Sequence, residues 1–260
     1  MEFIDQLNNV VTLSKTPSRI VSLVPSQTEL LVDLGLRENI VGITKFCIHP
    51  SDLRNEKTMV GGTKKVNFKK IKALKPDLII CNKEENTETM VRQLEIIAPV
   101  WVSDVNTIAD CVGMIEKLGE VLNVLEKALT IVSKIKKELK EFEFFIEDKL
   151  PKKILYLIWK DPFMAVGKPT FIDALLHLNK FENSITDEVS RYPEIDLVLF
   201  NKVDLILLST EPYPFKESHV LNLQAEVGTK VSLVDGEYFS WYGTRLIKAF
   251  EYFKTLHTGL

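Results

Sequence analysis

The sequence predicts an α/β protein of two Rossmann-like lobes, each with a parallel sheet, joined by a long backbone helix. Three observations predict it. Strand-sized apolar runs alternate with helical periodicity in the first hundred residues, and the alternation resumes after Pro151. Between them, Thr107 to Lys149 contains no proline and keeps a helical period throughout. Finally, Lys75-Pro76-Asp77-Leu78-Ile79-Ile80 matches Lys202-Val203-Asp204-Leu205-Ile206-Leu207 at an offset of 127 positions, and Arg19 to Val24 resembles Lys153 to Ile158 more loosely. One continuous doubly wound sheet would also alternate, so it is the repeat that argues for two lobes. The expected divisions are 1–105, 106–150 for the connecting helices, and 151–260.

In the first lobe, Arg19 to Val24 reads as a buried strand stopped by Pro25. Ser26 and Glu29 have capping-box spacing ahead of Leu30, Leu31 and Leu34, and Gly35 closes that helix. Strands follow at 40–44, 77–81 and 100–102, with helices at 68–74 and 87–97. Gly119 and Asn123 divide the helical middle and leave one helix over about 124–147. Its apolar positions Leu125, Leu129, Val132, Ile135, Leu139 and Phe142 suit one packed face. In the second lobe, strands are expected at 154–159, 204–208 and 231–234. Helices are expected after Thr170, over about 194–201 and over about 243–256.

Composition bounds the function. The chain has 260 residues, 45% hydrophobic and 27% charged, and a mean hydropathy of +0.04, which is the profile of a packed globular protein. Its 33 Lys and Arg against 36 Asp and Glu provide no electrostatic footprint for nucleic acid. No apolar run approaches the ~20 residues of a membrane span. Met1 to Gln6 lacks the basic and apolar segments of a secretory leader, so either a leader was removed or the protein stays inside the cell. Cys47, Cys81 and Cys111 form no C-x-x-C pair and read as free thiols of a reducing compartment, with Cys81 and Cys111 in the core.

Ligands of open parallel sheets bind beyond the carboxyl ends of the strands, which directs attention to the loops there. In the first lobe these carry Phe46, Cys47, His49, Thr63, Lys64, Asn82 and Lys83. In the second they carry Trp159, Phe163, Tyr192, Trp241 and, beside the last helix, Arg245. Of 23 aromatic residues, 16 lie after residue 150, and rings placed in loops suit a large flat ligand or else pack within the fold. Arg245 is either a holder of a ligand carboxylate or amide, or a solvated helix-face residue. Gly61-Gly62-Thr63-Lys64 lacks phosphate-loop spacing, and its ordinary explanation is a tight turn. Only Cys47-Ile48-His49 places two soft metal ligands close together. No nucleophile elbow, phosphate loop, dinucleotide fingerprint or H-E-x-x-H is present, so no enzyme template applies.

The ordered set Arg19 to Ser26 with Thr28-Glu29, Gly42-Ile43-Thr44, His49-Pro50, Val60-Gly61-Gly62 and Leu74 to Ile79 resembles the cobalamin-binding branch of the class III, helical-backbone substrate-binding proteins. The resemblance covers about residues 5–256, with Asp5 to Leu13 as a leading hairpin. It implies a non-catalytic receptor that binds a corrinoid or another metal chelate (cobalamin, haem or a ferric siderophore, none covalently held) in an inter-lobe cleft for an ABC importer. It implies a periplasmic monomer whose ligand contacts include Phe46 or His49, Phe163, Tyr192 and the 237–241 loop. Two departures stand out. Thr63 and Asn82 replace tryptophans of the pattern, and the docking acids would fall near Lys69 and at Leu197 to Leu199, where no acid stands. The alternative is an intracellular metal-chelate chaperone with Cys47 and His49 as metal ligands.

Overall fold

The structure is a computed structural model that describes residues 1–186 and 190–260. The chain divides into two compact units. The first comprises Met1–Val105, Ala109–Lys136 and Tyr242–Arg245; the second comprises Asn106–Ile108, Lys137–Trp241 and Leu246–Leu260. The helices expected to connect the lobes are thus shared between them, and a short segment near the C-terminus returns to the first unit.

The first unit opens with an antiparallel hairpin, β1 (Glu2–Ile4) and β2 (Val10–Thr12). Next come β3 (Ile20–Ser22), α1 (Pro25–Asp33), β4 (Ile40–Thr44), α2 (Leu53–Glu56) and β5 (Thr58–Gly61). They are followed by α3 (Phe68–Ala73), β6 (Leu78–Asn82), α4 (Glu88–Glu95) and β7 (Val100–Ser103). β3 to β7 form a parallel sheet of order β5-β4-β3-β6-β7. Every residue of β6 and β7 is buried, as expected of parallel strands covered on both faces. One core cluster joins Val21, Leu23, Ile79, Cys81, Val100 and Val102 to Ile71 of α3 and Leu94 of α4.

Two helices, α5 (Ile108–Val121) and α6 (Leu125–Ile146), precede the second sheet. α6 has 22 residues, about 33 Å at 1.5 Å per residue. Its buried stripe is Ala128, Ile131, Val132, Ile135, Phe142 and Ile146, whereas Leu125 and Leu129 are exposed. The packed face is therefore rotated from the one expected.

The second unit contains β8 (Lys152–Trp159), β9 (Met164–Ala165), α7 (Phe171–Leu178), β10 (Phe181–Asn183), a 3-10 helix (Leu197–Lys202) and β11 (Leu205–Ser209). It ends with α8 (Glu217–Glu226), β12 (Lys230–Val234), α9 (Gly236–Ser240) and α10 (Leu246–Gly259). Its parallel strands run in the order β10-β8-β11-β12, and β9 adds antiparallel to β8. Phe142 of α6 stacks on Phe250 of α10, ring centroids 6.0 Å apart.

The internal repeat has a structural cause. Asp77 accepts the backbone N–H of Arg19 at 2.7 Å and donates its own N–H to the Arg19 carbonyl at 2.9 Å. In the second unit, Asp204 accepts from the Lys153 N–H at 2.8 Å and donates back to that residue's carbonyl at 2.8 Å. Each aspartate pins the start of its unit's central strand pair in register, so the same Asp-Leu-Ile signal recurs at one place in each sheet.

Several expectations are corrected. α1 has no capping box: Pro25 occupies its first turn after Val24, whose side chain cannot cap, and Ser26 and Glu29 lie inside the helix. The helix expected over 194–201 is a 3-10 helix capped by Asp196, whose Oδ1 accepts the Val198 N–H at 2.8 Å. The last helix begins at Leu246, because Gly243 adopts φ +104 and breaks the helical path. β5, β9 and β10 are two to four residues long, too short to carry a period of their own.

Candidate ligand-binding site

In the first unit, four neighbouring parallel strands end on a buried polar residue: Ser22 of β3, Thr44 of β4, Asn82 of β6 and Ser103 of β7. Apolar strand interiors supply the core, and polar last residues turn the carboxyl rim into a hydrogen-bonding layer. Thr28 Oγ1 donates to Ser22 Oγ at 2.8 Å and lies 3.1 Å from Cys47 Sγ; Thr44 Oγ1 lies 3.3 Å from the same sulfur. Gln27 Nε2 donates to Ser103 Oγ and, at 3.2 Å, to Tyr242 Oη, while Ser103 Oγ donates to the Cys81 carbonyl at 3.2 Å. Gln27 is fully buried, yet its Oε1 has no hydrogen-bond partner among the described residues.

The segment Tyr242–Arg245 belongs to this layer. Gly243 donates its N–H to Cys111 Sγ at 3.1 Å, and Arg245 donates from Nε and Nη2 to the two carboxylate oxygens of Glu29, each at 2.9 Å. Arg245 is 8% exposed. The guanidinium expected to serve a ligand, or to be solvated, thus has a half-buried carboxylate partner. Burial raises the phenol pKa of Tyr242 well above its ordinary value, which keeps the hydroxyl protonated as a hydrogen-bonding group.

The other expected residues divide by exposure. Phe46 is 47% exposed, with Lys45 Nζ 4.9 Å from its ring centroid. Lys64 and Lys83 are exposed; Lys64 Nζ donates to the Glu84 carbonyl, and Lys83 Nζ pairs with Asp104 at 2.6 Å. His49 and Thr63 are half-buried. Asn82 is buried and committed to the backbone: it accepts the N–H groups of Glu84 and Glu85 and donates to the Ser103 carbonyl at 3.1 Å. Asn86 completes the turn, accepting the Asn82 N–H at 2.8 Å and donating to the Thr63 carbonyl at 2.8 Å. Asn82 therefore shapes the loop where a ligand contact was expected. The glycine turn is tight as anticipated, since a Cβ on Gly61, at φ +137, would lie 2.6 Å from the Lys65 carbonyl oxygen.

Cys47, expected as a metal ligand, is buried, and desolvation raises its thiol pKa. No group of three or more His, Cys, Asp or Glu residues suited to a metal ion exists among the described residues. Cys47 is a core thiol bound by two threonine hydroxyls, a packing role its neighbourhood explains without a metal.

In the second unit, Trp159 ends β8 at 41% exposure and meets Tyr213 edge-on at 5.6 Å. Phe163 packs edge-on against Phe200 at 5.2 Å and borders a cavity of about 180 Å³ together with Lys160, Phe215, His219 and Glu226. Tyr192 is half-buried. Trp241 is buried, and its Nε1 donates to Glu211 Oε1 at 3.0 Å, an oxygen that also accepts from Ser240 Oγ at 2.5 Å. Desolvation raises the Glu211 pKa, and the two donors oppose that rise. Trp241 is thus anchored by a carboxylate, and Trp159 carries the exposed ring.

Gln27, Ser103 and Tyr242 were not among the expected site residues. Gln27 lies inside α1, and the signal for Ser103 was the polar residue that closes an apolar strand run. No such signal marks Tyr242, which reaches the layer only through the return of the chain.

A sequence model of the periplasmic binding protein family matches residues 20–211. The chain belongs to that family. Family members are non-catalytic, extracytoplasmic receptors, the substrate-binding components of ABC transporters. An ABC transporter substrate-binding lipoprotein of Bacillus subtilis, YvrC, is 26% identical over 95% of this chain and 82% of its own length. The vitamin B12-binding protein of Pectobacterium atrosepticum is 22% identical over 90% of this chain and 86% of its own. Among solved structures, the periplasmic vitamin B12-binding protein BtuF of Vibrio cholerae superposes with a TM-score of 0.81 at 21% identity, covering 92% of this chain and 96% of that one. A periplasmic haem-binding protein of Pseudomonas aeruginosa gives 0.80 at 20% identity, covering 92% of each. These likenesses establish the class III receptor fold, and the lipoprotein and periplasmic proteins among them lend no support to the cytoplasmic alternative.

Proposed function

We propose that this receptor binds a corrinoid, with haem or a ferric siderophore as the competing chelates, and delivers it to an ABC permease. The observation that carries the reading is that each unit, taken by itself, leaves an exposed ring at the carboxyl end of its sheet, Phe46 at 47% in the first and Trp159 at 41% in the second. A receptor has little reason to leave a large aromatic in water at that end of a parallel sheet unless a flat apolar surface covers it. Half-buried Phe163 and Tyr192 add aromatic surface, and Lys64 and Lys83 offer cations for carboxylate, amide or phosphate substituents. The vitamin B12-binding relatives support a corrinoid as first choice.

Calorimetric titration with cyanocobalamin, haem and a ferric siderophore tests this. Saturable one-to-one binding of cobalamin is expected, weakened at least about tenfold, or 1.4 kcal/mol, by Phe46→Ala and by Trp159→Ala. Absence of binding by all three chelates overturns the reading, and binding of haem alone reassigns the ligand.

A further inference from the structure

Residues 57–75 contain seven lysines (57, 64, 65, 69, 70, 72 and 75) and no aspartate or glutamate, in a chain whose net charge is −3. Lys64 and Lys65 lie in the turn after the edge strand β5 and Lys69, Lys70 and Lys72 on α3, with Lys57 just before β5 and Lys75 just past α3. All but Lys57 are exposed. Among the described residues, none of the seven forms an ion pair: Lys64 Nζ rests on the Glu84 carbonyl and Lys70 Nζ on the Met59 carbonyl at 3.4 Å. α3 turns only Ile71 fully inward, with Phe68 partly buried against the core, which leaves Lys69, Lys70 and Lys72 in solvent. Met59, 44% exposed on β5, supplies an apolar contact within this face.

We propose that this face is a docking surface for an anionic phospholipid membrane. A concentrated positive field on a chain of net negative charge orients the molecule towards a polyanionic surface while the rest of it is repelled. The cations are all lysines, in a turn and on a short helix, with no arginine fork to read an individual carboxylate or phosphate. Such an array matches the diffuse charge of a lipid surface, whose attraction for basic clusters acts within a Debye length. The inference needs no bound ligand: it turns on Lys69, Lys70 and Lys72 of α3, where the resemblance would put a docking acid, and leaves Lys64 to the chelate reading.

Co-sedimentation of the purified chain with vesicles tests it. Binding is expected to vesicles of phosphatidylcholine with about one-third phosphatidylglycerol and not to phosphatidylcholine alone, with a steep fall as salt rises from low to physiological strength. Lys69→Glu/Lys70→Glu/Lys72→Glu should lower partitioning at least tenfold, and Lys134→Glu/Lys136→Glu/Lys140→Glu on α6, the same charge change elsewhere, should leave most of it. Circular dichroism melting confirms that each variant is folded, and Lys69→Gln/Lys70→Gln/Lys72→Gln gives a milder second series. Equal binding to both vesicle types, no binding to anionic vesicles, or equal losses in the two glutamate series overturns the proposal. Retention by an immobilised acidic peptide, without vesicle binding, assigns the face to an acidic protein partner instead.

Discussion

Arg245 and Glu29, separated by 216 positions, form a two-pronged ion pair with both contacts at 2.9 Å and side chains only 8% and 15% exposed. The pair fastens the returning segment Tyr242–Arg245 to the first helix of the first unit. It also explains why a lone arginine near the C-terminus resembles a ligand group in the sequence: nothing local offers it a partner.

Breaking one side of this pair leaves a buried charge without its partner. Arg245→Ala or Glu29→Ala is expected to cost about 3–5 kcal/mol of unfolding free energy, and Glu29→Leu/Arg245→Met much less than the sum of the singles. Urea denaturation of the four proteins measures the coupling. Additive losses would mean that the two residues act separately.

The cysteines should be chemically silent in the folded protein. All three are buried, desolvation raises each thiol pKa, and that of Cys111 is pushed up to about 12, so the reactive thiolate is scarce at neutral pH. Ellman's reagent at pH 7.5 should label none within minutes and all three in guanidinium. Rapid labelling of one thiol in the native state would contradict the burial of Cys47.

Acid should weaken the second unit through His257. Its ring stacks on Phe181 at 5.0 Å, its Nε2 lies 3.1 Å from Asn179 Oδ1, and desolvation with nearby Lys149 and Lys152 lowers its pKa to about 4. Between an ordinary value near 6.5 and about 4 the unfolded chain binds the proton and the folded one does not, so stability falls as pH drops through that window. Melting temperatures of the wild type and His257→Phe from pH 7 to pH 4 test this. The variant should lose less over the interval, and parallel curves would show that other groups set the acid limb.

Asn82 should behave as a fold residue rather than a ligand contact. Asn82→Ala removes the acceptor for two backbone N–H groups and the donor to the Ser103 carbonyl. A loss of about 2 kcal/mol is expected from leaving such groups unpaired. Thermal melts and titration of the folded variant with cyanocobalamin separate the roles; full stability with lost binding would make Asn82 a contact residue.

The strand-pinning aspartates give a matched pair. Asp77→Ala and Asp204→Ala each remove charge-assisted bonds to a neighbouring strand start and should each cost about 1.5–3 kcal/mol. Chemical denaturation of both variants reads the two losses, and a negligible cost in either unit would deny the repeat its structural meaning.

Local sequence is enough to read the two α/β units, the long helix and the positions of the main strands. Those features follow from local periodicity and from Pro25, Gly35 and Thr170 acting on their immediate neighbours. Asp77 and Asp204 were visible as a repeat because each answers the same local demand. Tertiary structure alone decided which loop residues face water. Trp159 and Trp241 look alike in the sequence, but the indole of the second is buried on Glu211 and the ring of the first is exposed; Phe46 stays exposed while Cys47, next to it, is enclosed by Thr28 and Thr44. Partners drawn from distant positions set burial, and burial sets which groups are free to meet a ligand; no periodicity along the chain encodes either.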